Sequence, residues 1–344
     1  MHNRAHAFEA AIKYFTMGAL AAGFYGLSAL IFYALTGSVE IHQIEHVLMQ
    51  RQFEPLIGVL AATVFMLGAL GFKLSLVPFH TWTADVYEGS SAPLAGYMSV
   101  VPKIAGFVVA MRLFEMLVSS GVVWIEHILY VVVVLTMTLA NLTALAQEDV
   151  KRMLAFSSIS HAGFMMAAIL IGTTQSNTAL FLYWTLFMFT NLGAFTMLWI
   201  VRHRKNLWDE RYHNPYTKFS GLVKIMPTTA TIMGIFMLAL AGMPPFSVFW
   251  GKLYLISAAI NSEYIFLAII IVLNSAIAVY YYMKLIVYMF LKEPVTADAR
   301  LYATNASTPL KVIVGVAVIF TIFAIVFIEP LLTIITKYVI ASGF

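Results

Sequence analysis

The chain has 344 residues, of which 61% are hydrophobic and only 10% are charged, and its net charge is +4 at pH 7. An ordinary soluble domain carries roughly 25% charged residues, so this composition excludes a soluble globular protein and indicates a chain embedded in a membrane. The sequence contains no cysteine, which excludes disulfides, thiolate catalysis and cysteine-ligated iron–sulfur clusters within this chain. The basic residues are scattered through the loops, which argues against a nucleic-acid partner.

Apolar stretches of about 20 residues or more, each long enough to cross a bilayer as a helix, recur along the whole chain. Because backbone inside lipid must satisfy its own hydrogen bonds, stretches of this length predict helices and not barrel strands. The predicted spans are Glu9–Thr36, Pro55–Trp82, Ser91–Phe114, Val122–Leu145, Val150–Ile171, Thr178–Ile200, Pro227–Ile260, Tyr264–Leu291 and Pro309–Tyr338. The predicted fold class is therefore all-α, a polytopic membrane helix bundle of about nine spans.

Lysines and arginines in the connections predict the orientation of the bundle, because short cytoplasmic loops are enriched in them. The connection after the sixth span is the most basic, with Arg202, Arg204, Lys205, Arg211, Lys218 and Lys224. Counting spans outward from this connection places the N-terminus in the cytoplasm and the C-terminus in the periplasm. We expect the inner membrane of a bacterium.

Prolines interrupt two of the predicted spans. Pro55–Trp82 contains Lys73 followed by Pro78, and Pro227–Ile260 contains a Gly-Met-Pro-Pro sequence followed by Lys252. A proline inside a helix removes a hydrogen bond and kinks or breaks the helix. Inside a membrane, such a break is tolerated only where it is buried in protein or faces a wet cavity. Paired breaks in the two halves of a chain point to a transport site between repeats; the alternative is two kinks without function.

Lysines at depth favour transport. Lys103 is predicted in the middle of a span, where a lysine costs about 2.5–3.5 kcal/mol. Lys73 and Lys252 lie beside the two breaks. Lys13 and Lys284 lie nearer the ends of their spans, where their side chains can reach the interface instead. We therefore expect Lys73, Lys103 and Lys252 to carry protons, with Lys13 and Lys284 as secondary candidates.

Lysine suits a proton path because burial lowers its pKa from about 10.4, to about 5–6 in extreme cases. A buried amine of this kind can take up and release protons near pH 7. Two charges 4 Å apart repel by about 4 kcal/mol at an effective dielectric constant of 20. A row of lysines can therefore transmit electrostatic repulsion along the membrane plane, because protonation of one lysine favours deprotonation of the next.

Two further titratable sites are secondary candidates. Glu9 and Lys13 are four residues apart, so they share one helical face and can form an ion pair. His161 titrates near neutrality and follows the hydroxyls of a Ser-Ser-Ile-Ser sequence, which could order water; the alternative is a structural histidine bonded to a backbone carbonyl. No histidine–carboxylate cluster has the spacing of metal ligands, so we expect no metal site and no bound cofactor in this chain.

Six motifs occur in collinear order over almost the whole chain. They are Glu9-Ala-Ala-Ile-Lys13-Tyr-Phe, Gly71-Phe-Lys73-Leu-Ser-Leu-Val-Pro78-Phe-His80, Asn141-Leu-Thr-Ala-Leu-Ala-Gln147, Lys151-Arg-Met-Leu-Ala-Phe-Ser-Ser-Ile-Ser-His161, Ala241-Gly-Met-Pro-Pro-Phe246 and Tyr280-Tyr-Tyr-Met-Lys284. Together they resemble the antiporter-like membrane subunits of respiratory complex I, the proton-translocating NADH:quinone oxidoreductase. At position 103 the chain has a lysine, as the N branch of this family does, whereas the L and M branches usually have a histidine. In this respect the chain resembles the N branch.

The resemblance implies a fold of about fourteen helices with two inverted five-helix repeats, each containing one broken helix. Lys73 and Lys252 match the lysines on the broken helices, and Lys103 matches the lysine that connects the two half-channels. The resemblance further implies a translocase subunit that pumps protons, coupled to quinone reduction in a distant arm. NADH, FMN, iron–sulfur clusters and quinone would then be bound by partner subunits, and the partners would be other membrane subunits of the complex and the lipid bilayer.

Matched to this family, residues 1–344 form a single integral membrane domain. Residues 1–114 would be a partial first repeat, 122–291 the second repeat and 309–338 a C-terminal helix. The chain begins at the match to the sixth family helix, so the glutamate expected to pair with Lys73 lies outside this sequence. Two other functions are compatible with the same residues: a subunit of a cation/proton antiporter, and a structural spacer that pumps nothing.

Overall fold

The computed structural model describes residues 5–52, 55–119, 123–203, 213–295, 302–304 and 307–343. Helices account for almost all of the described residues. They are α1 (Ala5–Thr36), α2 (Ile41–Gln50), α3 (Leu56–Leu74), α4 (Thr81–Gly89), α5 (Ala92–Ser119), α6 (Val123–Leu145), α7 (Val150–Ile171), α8 (Thr174–Ile200), α9 (Leu222–Ile225), α10 (Pro227–Ala241), α11 (Ser247–Asn261), α12 (Ile265–Leu291), α13 (Thr308–Ile322) and α14 (Ala324–Ala341).

Eight of these helices are long and apolar enough to cross a membrane: α1, α3, α5, α6, α7, α8, α12 and α14. The shorter apolar helices α10 and α13 add to them. The prediction of an all-α polytopic membrane bundle is therefore confirmed, with the bounds of most spans close to those expected.

The first break lies between α3 and α4. Helix α3 ends at Leu74 and is capped by Ser75, whose φ of +64° is left-handed, and the chain passes Pro78 before α4 begins. The indole nitrogen of Trp82 donates a hydrogen bond to the carbonyl of Phe72, 3.1 Å away, and so ties the two halves together across the break. The predicted end at Trp82 was wrong, because α4 continues to Gly89.

The second break separates α10 from α11. Helix α10 ends at Ala241 and is capped by Gly242, with a φ of +82° that suits glycine. A side chain there would also meet the amine of Lys252, since a Cβ would lie 3.0 Å from its Nζ. Both breaks contain a cis peptide bond, before Pro78 and before Pro245. The prediction of two broken helices is confirmed.

Helix α7 is the centre of the bundle. Every residue from Val150 to Ile171 except Arg152 is buried, and α4, α5, α6, α8, α11 and α12 all contact it. A helix enclosed on all sides is apolar all round, as the sequence of α7 largely is. Small residues allow the close packing: a Cβ on Gly163 would lie 2.7 Å from the side chain of Met137 on α6.

Three features differ from the predicted elements. The ninth span, Pro309–Tyr338, is two helices that meet at Phe323; as one straight helix it would be about 45 Å long, well above the roughly 30 Å of a bilayer core. Helix α2 was not predicted. Strands Val201–His203 (β1) and Tyr302–Thr304 (β2) pair as a small antiparallel ribbon, also unpredicted. Of the basic loop residues, Arg204, Lys205 and Arg211 lie outside the described residues.

Candidate functional site

Lys252 lies in α11 just after the second break, and only 4% of it is exposed. Its amine donates a hydrogen bond to the carbonyl of Ala241, 3.2 Å away, and lies 5.3 Å from the ring centre of Phe164. Ala241 is the last residue of α10, and the final carbonyls of a helix have no partner within it. These carbonyls also form the negative end of the helix dipole. The break therefore provides the buried amine with an acceptor.

Lys103 lies in the middle of α5, directly after Pro102. Only 1% of it is exposed, and its amine donates to the carbonyl of Ser158 on α7, 3.3 Å away. Among the described residues, no carboxylate forms an ion pair with Lys103 or with Lys252. Both amines are thus held by single backbone carbonyls.

His161 lies on α7 between the contacts of the two lysines: Ser158, the acceptor of Lys103, precedes it by three residues, and Phe164, beside the amine of Lys252, follows it by three. Its Nδ1 lies 2.6 Å from the hydroxyl of Tyr183 and its Nε2 lies 3.2 Å from that of Tyr282. A neutral imidazole donates with one nitrogen and accepts with the other, so the ring bridges the two tyrosines. The alternative, a structural histidine bonded to a backbone carbonyl, named the wrong partner, because the ring nitrogens bond to tyrosine hydroxyls instead.

The hydroxyl of Tyr282 also bonds to Ser157, one turn before His161 on α7. Beside it, the hydroxyl of Tyr281 donates to the side chain of Asn141 on α6, 2.9 Å away, and Asn141 in turn bonds to Asn274. Sequence reasoning did not assign these groups a role. The signal was present in the Tyr-Tyr-Tyr motif that precedes Lys284, since tandem tyrosines at depth require partners.

Hydroxyl groups without a protein partner occur near the first break. Among the described residues, Ser75, Thr83 and Tyr87 each bury a hydroxyl to which no side chain or backbone group bonds, and Ser160 does the same beside His161. Buried polar groups of this kind are normally satisfied by ordered water. These positions extend the polar region from the first break to α7.

Lys73 differs from the other two candidate carriers. It lies in the last turn of α3, as predicted, but its side chain is exposed, and no described residue forms a hydrogen bond or ion pair with it. Its side chain is therefore not enclosed by the described residues, unlike those of Lys103 and Lys252. The stem of Lys73 lies beside α5, the helix that carries Lys103, since a Cβ at Gly106 would lie 3.4 Å from the Cγ of Lys73.

Glu9 and Lys13 belong to an ionic cluster that joins three helices. The predicted pair is confirmed: the amine of Lys13 lies 2.5 Å from a carboxylate oxygen of Glu9 and 2.5 Å from one of Asp85 on α4. Asp85 also accepts from Arg152 on α7 at 3.0 Å, and Arg152 pairs with Glu88. The cluster therefore ties α1 to α4 and α4 to α7.

Two more lysines bond to backbone carbonyls. Lys151, in the first turn of α7, is buried, and its amine donates to the carbonyl of Glu88, 2.8 Å away, and to that of Ser90, directly after α4. Lys284 is partly buried, donating to the carbonyl of Gln147 at 3.2 Å and lying 4.4 Å from the ring centre of Tyr216. Neither amine extends freely into solvent.

Two broken helices, a lysine beside each break and a histidine between two tyrosines define a class of protein: a membrane transport bundle of the broken-helix type. The family model described as NADH:quinone oxidoreductase/Mrp antiporter, transmembrane, matches residues 1–278, and the chain belongs to this family. The resemblance drawn from the six motifs is thereby confirmed.

Relatives in this family are similar over the whole chain. The NADH-quinone oxidoreductase subunit N of Sulfurimonas denitrificans is 63% identical over 345 residues, which are 100% of this chain and 69% of that protein. Subunit N of Helicobacter hepaticus is 48% identical, with 99% of this chain and 69% of that protein covered.

Solved structures are similar as well. The chain matches respiratory complex I from Thermus thermophilus with bound aureothin with a TM-score of 0.77 and 29% identity, covering 96% of this chain and 69% of that one. It matches the Mrp complex from Dietzia sp. with a TM-score of 0.79 at 20% identity, covering 98% of this chain and 69% of that one, which shows the shared fold.

Proposed function

We propose that this chain is a membrane-arm subunit of a proton-pumping NADH:quinone oxidoreductase, in which Lys103 and Lys252 carry protons. The observation that supports this most is that both amines are buried in the bundle and form no ion pair with a carboxylate of the described residues. Keeping an unpaired cation in an apolar interior costs free energy. A function in which the amine gains and loses a proton explains why a lysine stands at such a position. We assign the relay between them to His161, which lies on α7 between Ser158 and Phe164, the residues that contact the two amines, and to its partner Tyr282.

The other candidates take secondary roles. Lys73 is a third carrier, on a face of α3 that is exposed in this chain. Glu9 and Lys13 form the ionic link to α4, and Lys284 follows Tyr281 by three residues on α12, with its amine bonded to the carbonyl of Gln147. The division into a partial first repeat (1–114), a second repeat (122–291) and a C-terminal segment (309–338) follows the same proposal.

The redox chemistry takes place outside this chain. NADH, FMN, iron–sulfur clusters and quinone are bound by partner subunits, and this chain contributes proton translocation coupled to quinone reduction. It resides in a bacterial inner membrane with a cytoplasmic N-terminus and a periplasmic C-terminus.

The test uses the purified membrane complex that contains this chain, reconstituted into liposomes. NADH-driven quinone reduction and the pH gradient are measured for the wild type, Lys252→Met and a control, Lys337→Met, which changes an exposed lysine of α14. We expect Lys252→Met to lower the number of protons pumped per NADH and Lys337→Met to leave it unchanged. A wild-type pumping ratio in Lys252→Met would contradict the assignment.

A second candidate is a subunit of a cation/proton antiporter, which the fold shared with the Mrp complex supports. Sodium-driven proton exchange by the liposomes, with no electron donor present, would favour it. A third candidate, a spacer, would tolerate Lys73→Ala, Lys103→Ala and Lys252→Ala together without loss of pumping.

A further inference from the structure

A groove opens between α8, α10 and α13, and none of the candidate proton carriers lines it. Its volume is about 490 Å³, and its walls are mainly apolar, with Met197 and Ile200 from α8, Ile232 from α10, and Val314 and Val318 from α13. The volume lies in the range of about 300–1,000 Å³ that is typical of ligand sites. An apolar groove on the outside of a membrane bundle suits an acyl chain.

The mouth of the groove is polar and lies at one end of the bundle. Thr228 and Thr229 are in the first turn of α10, Lys311 is in the first turn of α13, and all three line the groove. Lys311 is exposed, and among the described residues no carboxylate forms an ion pair with it. The ends of spanning helices lie at the level of the lipid headgroups. The cation therefore lies where a headgroup would meet it.

Gly315 leaves the floor of the groove open. It follows Lys311 by four residues, so the two lie on the same face of α13, and a Cβ at Gly315 would meet no atom within 4 Å. A side chain at this position would occupy the groove instead of clashing with the bundle. The glycine therefore makes room for a ligand without being needed for helix packing.

We propose that this groove binds one anionic phospholipid, with an acyl chain between α8, α10 and α13 and the phosphate beside Lys311. Apolar walls provide contact for the chain, and the amine provides charge complementarity for the headgroup. The hydroxyls of Thr228 and Thr229 can donate to the phosphate oxygens, and the positive ends of the α10 and α13 dipoles meet at the same mouth.

The test uses the membrane complex in phosphatidylcholine nanodiscs and a phosphatidylglycerol with a photoactivatable acyl chain. Cross-linked peptides are identified by mass spectrometry, and unlabelled phosphatidylglycerol is added as competitor. In the wild type we expect cross-links to peptides of α10 and α13. Unlabelled phosphatidylglycerol should prevent these cross-links, and additional phosphatidylcholine should not. Lys311→Gln should raise the competitor concentration needed by about fivefold, the effect of one interfacial lysine.

Gly315→Leu should remove these cross-links, because the leucine fills the groove; it should fold normally, since leucine favours a helix more than glycine does. Val316→Leu, on an exposed face of the same helix outside the groove, and Lys337→Gln serve as controls and should retain them. Cross-links unchanged in Gly315→Leu would overturn the site. Equal displacement by phosphatidylcholine, or no effect of Lys311→Gln, would overturn the preference for an anionic headgroup.

Discussion

Replacing Lys103 by methionine separates its functional role from its structural one. The substitution removes the charge and keeps an unbranched apolar stem. A lysine at the centre of a membrane helix costs about 2.5–3.5 kcal/mol. The single hydrogen bond of its amine, to the Ser158 carbonyl at 3.3 Å, returns about 1.5–3 kcal/mol, and its length favours the lower part of that range. Lys103→Met should therefore stabilise the chain by about 1 kcal/mol.

The assay is the melting temperature of the purified complex together with proton pumping in liposomes. For a chain of this size, about 1 kcal/mol corresponds to a rise of roughly 2 °C. We expect Lys103→Met to raise the melting temperature slightly and to lower pumping strongly. Lys103→Arg is the matched control for charge: a guanidinium stays protonated, so this variant keeps a cation and should also fail to pump.

Two results would refute this reasoning. If Lys103→Met pumped as the wild type does, Lys103 would not be a carrier. If it lowered the melting temperature by several degrees, the amine would be a structural contact, and its burial would not be the uncompensated cost assumed above.

Three further predictions concern packing and hydrogen bonding. Asp85→Asn should lower the free energy of unfolding by about 1–2 kcal/mol, between the values of exposed and buried ion pairs. A double-mutant cycle with Arg152→Gln should give a coupling energy of at least about 0.5 kcal/mol. Additive effects of the two substitutions would argue against the contact. Gly193→Ala should cost about 1–3 kcal/mol in thermal stability, because its Cβ would lie 2.3 Å from a ring atom of α10, whereas Gly26→Ala in open space should cost nothing. Tyr282→Phe should slow pumping, with a stability loss near 1 kcal/mol, and normal pumping would exclude its hydroxyl from the relay.

Much of the fold could be predicted because the signals are local. Hydropathy over about 20 residues indicates a span regardless of its neighbours, and proline breaks a helix wherever it occurs. Helix α2 and the β1–β2 ribbon were not predicted, for two different reasons. The helix is only ten residues long, so its apolar face is too short to read as a span. The ribbon depends on pairing between segments about a hundred residues apart, such as Val201 with Thr304.

The site was predictable only in part for the same reason. Burial of Lys103 and Lys252 follows from their depth along a span, which the sequence shows. The partners of His161 lie 22 and 121 residues away, at Tyr183 and Tyr282, and depend on how α7, α8 and α12 pack. Exposure of Lys73 depends on which helices cover α3, and no local pattern contains that information.

Asp85 illustrates the same limit on a smaller scale. It is 72 residues from Lys13 and 67 from Arg152, so no helical spacing links it to either partner. Glu88, three residues later on the same helix, gives a weak signal of an acidic face on α4. Only the packing of α1 and α7 against that face shows that it is neutralised.

The acceptor of Lys252 determines the net charge of the site once a proton is bound. A carboxylate partner would already carry a negative charge, so the protonated pair would be neutral overall. The carbonyl of Ala241 carries no net charge, so the site changes from neutral to cationic when the amine takes up a proton. Groups elsewhere in the bundle therefore feel the field of a full positive charge that no carboxylate of the described residues offsets.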